Sequence, residues 1–163
     1  MTPDTECSEI LDWLREVKDP EVPVVDVVGM GIVRHAEADK DEARVTITPT
    51  YSGCPAMQVI ERDIQTVLEK RGFARVVVNT VLAPAWTTDW MTEETRAQLK
   101  AYGIAPPGKT CNASPFQDNN EQVVCPFCDH PEVSLRSRFG STACKALYYC
   151  NGCHQPFEQF KCI

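Results

Sequence analysis

The sequence of 163 residues contains no apolar run approaching the roughly 20 residues needed to cross a bilayer. Its first residues, Met1-Thr2-Pro3-Asp4-Thr5-Glu6, lack the basic start of a secretory signal, so no membrane association is expected and the cytoplasm is the expected compartment. Positive charge is also scarce: 16 Lys and Arg stand against 23 Asp and Glu, a net charge of −7 that disfavours a nucleic-acid backbone as partner. There are 3 histidines, and only His35 precedes the C-terminal cysteines, so the sequence places no base beside a thiol nucleophile. Low-complexity blocks and internal repeats are missing, apart from one pair of cysteine knuckles.

Cysteine, by contrast, is abundant. An odd count of 9, no export signal and two Cys-x-x-Cys pairs favour thiols and metal over a disulfide framework. Cys125-Pro126-Phe127-Cys128 and Cys150-Asn151-Gly152-Cys153 are separated by enough chain for a strand pair, the spacing of a zinc ribbon. Four thiolates close a tetrahedron around structural zinc, and a module of about 40 residues needs such a cross-link because its core is small. Cys144 and Cys162 are alternative ligands, either to zinc or in an iron–sulfur site. His130 and His154 adjoin the knuckles, where positions outside the ligand set suit them better. Acidic and basic residues nearly balance across the ribbon, which lacks the basic footprint of a nucleic-acid module and fits protein docking better. Phe139, Tyr148, Tyr149, Phe157 and Phe160 either cover the metal site or form a docking face.

The preceding region reads as an α+β domain of order αββαβα over residues 1–107, joined through a linker at 108–121 to the ribbon at 122–163. Ile10, Leu11, Leu14 and Val17 give a helix over 8–17 that stops at Asp19-Pro20. Asp26 stands among valines, where a buried carboxylate needs donors or a counter-charge; capping a short turn would supply the donors. Residues 32–38 and 43–48 form a hairpin through Asp39-Lys40-Asp41-Glu42. A helix then carries Met57, Ile60, Ile64, Val67 and Leu68 on one face, and the run from Arg75 to Leu82 reads as a strand buried on both faces. Trp86 and Trp90 either cover the sheet or anchor another protein. A last helix begins at Thr92 and stops at Gly103; residues 109–124 read as a tether in which Cys111 is incidental.

Thr48-Pro49-Thr50-Tyr51-Ser52-Gly53-Cys54-Pro55 joins the second strand to the second helix. Pro55 suits a first helical position, which makes Cys54 the expected N-cap. A sulfur there would sit among unpaired N–H groups at the positive end of the helix dipole, both favouring thiolate. The alternative is a small buried cysteine that fills space beneath the turn.

Taken together, Asp19-Pro20-Glu21-Val22-Pro23 with Asp26-Val27-Val28, the Cys54 turn, Pro84-Ala85-Trp86-Thr87-Thr88-Asp89-Trp90 and the ribbon make the chain resemble the PaaD family of the phenylacetyl-CoA epoxidase system. Residues from about Ser8 to Pro107 are similar to the broader SufT-like iron–sulfur assembly domain, whose reactive cysteine corresponds to Cys54 and whose Asp-Pro-Glu aspartate corresponds to Asp19. The resemblance implies an accessory, non-catalytic role in phenylacetate catabolism. Cys54 would transiently ligate iron or an iron–sulfur cluster with Asp19 and Asp26 as helpers, and Cys125, Cys128, Cys150 and Cys153 would hold zinc. Its partners would be the oxygenase or reductase subunits, with self-association left open; a docking subunit that handles no iron is the alternative. The chain has neither the Glu-x-x-His pairs expected of the oxygenase catalyst nor the glycine-rich dinucleotide loop expected of the reductase.

Overall fold

The computed structural model describes residues 3–108 and 123–163; Cys111 and nearly all of the expected linker lie outside them. The chain divides between Trp86 and Thr87 into two compact units of a mixed α+β protein.

The first unit contains α1 (Pro3–Leu14), β1 (Val33–Asp39), β2 (Glu42–Ile47), α2 (Ala56–Lys70) and β3 (Arg75–Thr80). β2 lies between antiparallel β1 and parallel β3, with Val45 opposite Ala36 on one side and Val78 on the other. Alternation places Ala43, Val45 and Ile47 inward, where they bury with Ile10 and Leu14 of α1 and Ile60, Ile64 and Leu68 of α2. Lys40 takes a positive φ of 50° at the tip of the β1–β2 hairpin, as a tight turn requires. Val76, Val77 and Val78 are only half-buried, which corrects the expectation of a strand covered on both faces. The reason is position: β3 forms the sheet edge, so its valine run is enclosed less than a central parallel strand.

Between α1 and β1 the chain makes a closed excursion. Asp19 donates its backbone N–H to Val25 (3.0 Å), and Val27 donates to Val17 (3.1 Å). This folds the prolines at 20 and 23 outward around buried Val22, Val25 and Val27. The same closure brings the Asp19 segment back against the body of the unit.

The second unit contains a short 3₁₀ turn (Thr88–Trp90), α3 (Glu93–Tyr102), β4 (Ile104–Ala105), β5 (Val133–Ser137), β6 (Lys145–Cys150) and β7 (Pro156–Phe160). Thr92 caps α3 through a bond from Thr95 N–H, and Gly103 ends it with φ +95°. The sheet runs β4-β7-β6-β5, so the helix expected to close the first domain belongs instead with the ribbon strands. The link is parallel pairing of Ile104 and Ala105 with Glu158 and Gln159, a two-residue strand too short for any sequence period to reveal. Arg96 is buried and donates to the carbonyls of Thr88 (2.8 Å), Pro107 (2.7 Å) and Gly108 (3.0 Å), which satisfies much of its guanidinium fork.

Candidate functional site

The two knuckles fold in the same way. Asp129 donates its N–H to the carbonyl of Cys125 (3.0 Å), and His154 donates to Cys150 (3.1 Å). Both donors adopt positive φ, 57° and 60°, so each residue following a knuckle closes its loop through its backbone. His130 packs on the second knuckle: a Cβ on Gly152 would meet its ring at 2.7 Å.

Cys125, Cys128, Cys150 and Cys153 thereby point their sulfurs at one another, all within 4.8 Å. Cys125 and Cys153 are 3.7 Å apart, and Cys128 and Cys150 are 3.6 Å apart. A tetrahedron with metal–sulfur bonds of about 2.3 Å has edges of about 3.8 Å, so the donor set fits zinc. Backbone N–H groups of Gly152 (3.3 Å) and Cys153 (3.4 Å) also point at the Cys150 sulfur. Burial pushes the Cys153 thiol up to about 12; the Gln155 N–H opposes this, while the neighbouring sulfurs reinforce it. Burial disfavours thiolate at Cys150 too, yet the Cys153 and Gly152 N–H groups, with the Cys128 and Cys125 thiols, bring it down to about 6. Four crowded sulfurs cannot all ionise alone, and a bound divalent cation is what resolves that conflict.

Cys144 is buried elsewhere, 3.0 Å from the Thr142 hydroxyl, and Cys162 is disulfide-bonded; neither joins this group. Among the described residues neither His130 nor His154 does.

The Cys54 turn differs from expectation. Pro55, not Cys54, is the N-cap of α2, and its ring supplies no capping bond, while the N–H of Ala56 at the start of the helix bonds to the Cys54 sulfur. Gly53 takes φ +85°, the Cys54 N–H reaches the Tyr51 carbonyl (3.3 Å), and the Cys54 carbonyl accepts from Met57 (3.3 Å). Cys54 is half-buried, and its thiol is pushed above the ordinary value rather than below it. Burial is the largest cause; the Glu21 and Asp19 carboxylates add to it, outweighing bonds from the Ala56 N–H and the Tyr51 side chain. The sequence points to a helix-activated thiolate, but the fold half-buries the sulfur and brings up two negative charges, and burial first, the charges second, hold the proton on it.

Asp19 and Cys54 are therefore brought into one electrostatic neighbourhood, together with Glu21, which sequence reasoning missed. Its signal was the Asp-Pro-Glu segment itself, since the turn that places Asp19 also carries Glu21. Asp19 accepts from the N–H groups of Glu21 (2.7 Å) and Val22 (3.3 Å), so this carboxylate organises its own loop. Asp26 accepts from Val28 (3.1 Å) and Gly29 (2.7 Å) and lies near Arg15 and Lys18, which matches the turn-capping alternative.

A family model described as a PaaD zinc beta ribbon domain matches residues 110–161, and one described as an iron–sulfur cluster assembly protein matches residues 8–79. A protein of Escherichia coli (strain K12), named as one of the subunits of a 1,2-phenylacetyl-CoA epoxidase, is 44% identical over 95% of this chain and 92% of its own. The chain belongs to the PaaD family. An Fe-S protein maturation auxiliary factor of Porphyromonas gingivalis is 33% identical over 56% of this chain and 88% of its own length. A crystal structure of a domain of unknown function, DUF59, from Bacillus anthracis has a TM-score of 0.56 and 30% identity, covering 60% of this chain and 93% of that one. In this PaaD-family chain, Asp19, Glu21 and Cys54 fall within the iron–sulfur assembly match, and the four clustered cysteines fall within the ribbon match. No helix among the described residues is long and apolar enough to cross a membrane.

Proposed function

We propose that this chain is a non-catalytic accessory protein of a cytoplasmic phenylacetyl-CoA epoxidase system that helps its oxygenase or reductase acquire iron or an iron–sulfur cluster. The observation that carries the reading is the Cys54 thiol in the neighbourhood of the Asp19 and Glu21 carboxylates, within the segment that matches iron–sulfur assembly proteins. One soft sulfur with two hard carboxylates in its electrostatic neighbourhood offers iron, as cargo, donors of both kinds, although among the described residues only the four ribbon cysteines already stand close enough together to hold an ion. Burial, with the carboxylates adding to it, retains the thiol proton when the site is free; an arriving cation offsets the negative charge and favours thiolate. Partial burial limits access by solvent, while a thiol held in protonated form is protected from adventitious oxidation.

Cys125, Cys128, Cys150 and Cys153 would hold structural zinc. Zinc supplies the cross-link that a small ribbon core lacks, and the protein positions its sulfurs through the two knuckles.

The experiment is Cys54→Ser in the producing cell, with epoxidase activity, iron and acid-labile sulfide measured in the purified partners. Loss of activity together with reduced metal content is expected. Normal activity in metal-replete partners would sink the transfer reading and favour the second one, a docking subunit that stabilises the oxygenase assembly. The exposed aromatic edge of the ribbon gives that second reading its own support.

A further inference from the structure

The sheet of the first unit has two edges that differ in kind. β1 carries a register shift between Val33 and His35, and Arg34, His35, Glu37 and Asp39 along it are exposed. A bulge and a row of charges keep an edge strand from pairing with another chain. β3, the opposite edge, has neither. It pairs with β2 in unbroken register from Arg75 to Thr80, and the run Val76-Val77-Val78-Asn79-Thr80-Val81-Leu82 contains no charge and no proline. Arg75, at its start, is paired with Glu42 at 3.4 Å.

Hydrogen bonds at the two ends of this run fix where its remaining backbone groups point. Arg75 donates its N–H to Asp41 (3.0 Å), and Val81 donates to Ile47 (2.9 Å). Parallel pairing alternates, so Arg75, Val77, Asn79 and Val81 face β2, while Val76, Val78 and Thr80 turn both N–H and C=O away from it. Among the described residues no strand pairs with that side. An extended backbone is the structure that meets alternate donors and acceptors in such a row.

A second β3 supplies that backbone. Two copies set antiparallel about a two-fold axis at Val78 place Val78 opposite itself and Val76 opposite Thr80, a register that engages every outward residue of the strand, each pair exchanging both of its hydrogen bonds. Arg75 then stands across from Val81 and not from a second Arg75, so no like charges meet. Val76 and Val78, half-buried in one chain, gain cover from the other. The assembly also closes: its sheet reads β1-β2-β3-β3-β2-β1, and a guarded β1 at each end leaves a third chain no edge to join. We infer that β3 is a dimerisation edge, at which a second copy of this chain extends the sheet in antiparallel register about Val78. The inference goes beyond the accessory reading and does not depend on it.

The test combines sedimentation velocity of the full chain with amide exchange read by NMR. The parent should sediment as a dimer, with the Val76, Val78 and Thr80 amides protected as well as those of Val77 and Asn79. Val78→Pro removes the N–H on the axis and leaves the β2 ladder untouched; Asn79→Lys sets a cation diagonally across from Arg75 of the second copy. Each should yield the monomer and lose protection at Val76 and Thr80, with Val77 still protected. His35→Lys, on β1, should leave the dimer intact. Zinc content and far-UV dichroism equal to those of the parent confirm folding, and Asn79→Lys, at an exposed position, decides the matter if Val78→Pro misfolds. A monomeric parent would overturn the proposal, and protection of the Val76, Val78 and Thr80 amides in that monomer would assign the edge to another segment of the same chain. A dimer in which those three amides exchange freely, or one that the folded variants preserve, would put the interface elsewhere and overturn it as well.

Discussion

Trp86 donates its indole N–H to the carbonyl of Met30 at 3.0 Å, joining the tryptophan motif to the turn before β1. Both residues are buried, so no solvent stands ready to replace the bond. Trp86→Phe should cost about 1–3 kcal/mol in urea unfolding, because the ring is largely retained while the carbonyl loses its donor. Trp86→Ala should cost more, about 3–5 kcal/mol, through the cavity added to that loss.

Metal removal should act locally. Chelation of the full chain is expected to abolish amide protection in β5, β6 and β7 while leaving β1, β2 and β3 protected, as read by hydrogen exchange. Cys125, Cys150, Phe157 and Ala105 form one small core cluster, and two of those four residues are candidate ligands. Cys150→Ser should lower zinc from one ion per chain to near zero by elemental analysis. Cys144→Ser should retain it.

Two glycine substitutions separate backbone strain from collision. A Cβ at Gly53 would meet nothing within 4 Å, so Gly53→Ala should cost only the penalty of φ +85°, about 1–2 kcal/mol. At Gly103 the φ is +95° and a Cβ would also meet the Phe127 ring at 2.8 Å. Gly103→Ala should therefore destabilise more, unless the ring moves aside without cost. Thermal unfolding of both variants provides the comparison.

The raised proton affinity of Cys54 has a definite sign. Iodoacetamide should label it more slowly than an unperturbed cysteine near neutral pH, and faster as pH rises, because thiolate is the reacting species. Glu21→Gln and Asp19→Asn each remove a negative charge, so each should lower the thiol pKa and speed labelling at a given pH. The native state holds this proton more firmly than the unfolded chain does. Stability linked to Cys54 is thus whole below its ordinary value of 9.0 and declines as pH rises through and beyond it. Rapid labelling at neutral pH, unchanged in both variants, would contradict this electrostatic account.

Periodic and covalent features were legible from residue order. Ala43, Val45 and Ile47 alternate, Ile60, Ile64 and Leu68 recur at helical spacing, and Thr92 and Gly103 bracket α3 as capping residues do. The cysteine spacing likewise announced a four-sulfur centre, because two residues between thiols are enough to turn a knuckle. These signals are local: each depends on neighbours a few positions away, and local geometry repeats from protein to protein.

The sequence by itself determined β1, β2, β3, α2 and α3, the four candidate metal ligands and the turn that carries Cys54. Only the tertiary structure decided that Cys54 keeps its proton, since burial, with Asp19 and Glu21 adding to it across more than thirty positions of sequence, outweighs the pull of the helix terminus. It also decided that β4 joins β7, that β3 is an edge, and that Phe139 is displayed while Phe157 and Phe160 are buried. Burial and charge depend on what the folded chain brings together, and no period along the sequence encodes that distance.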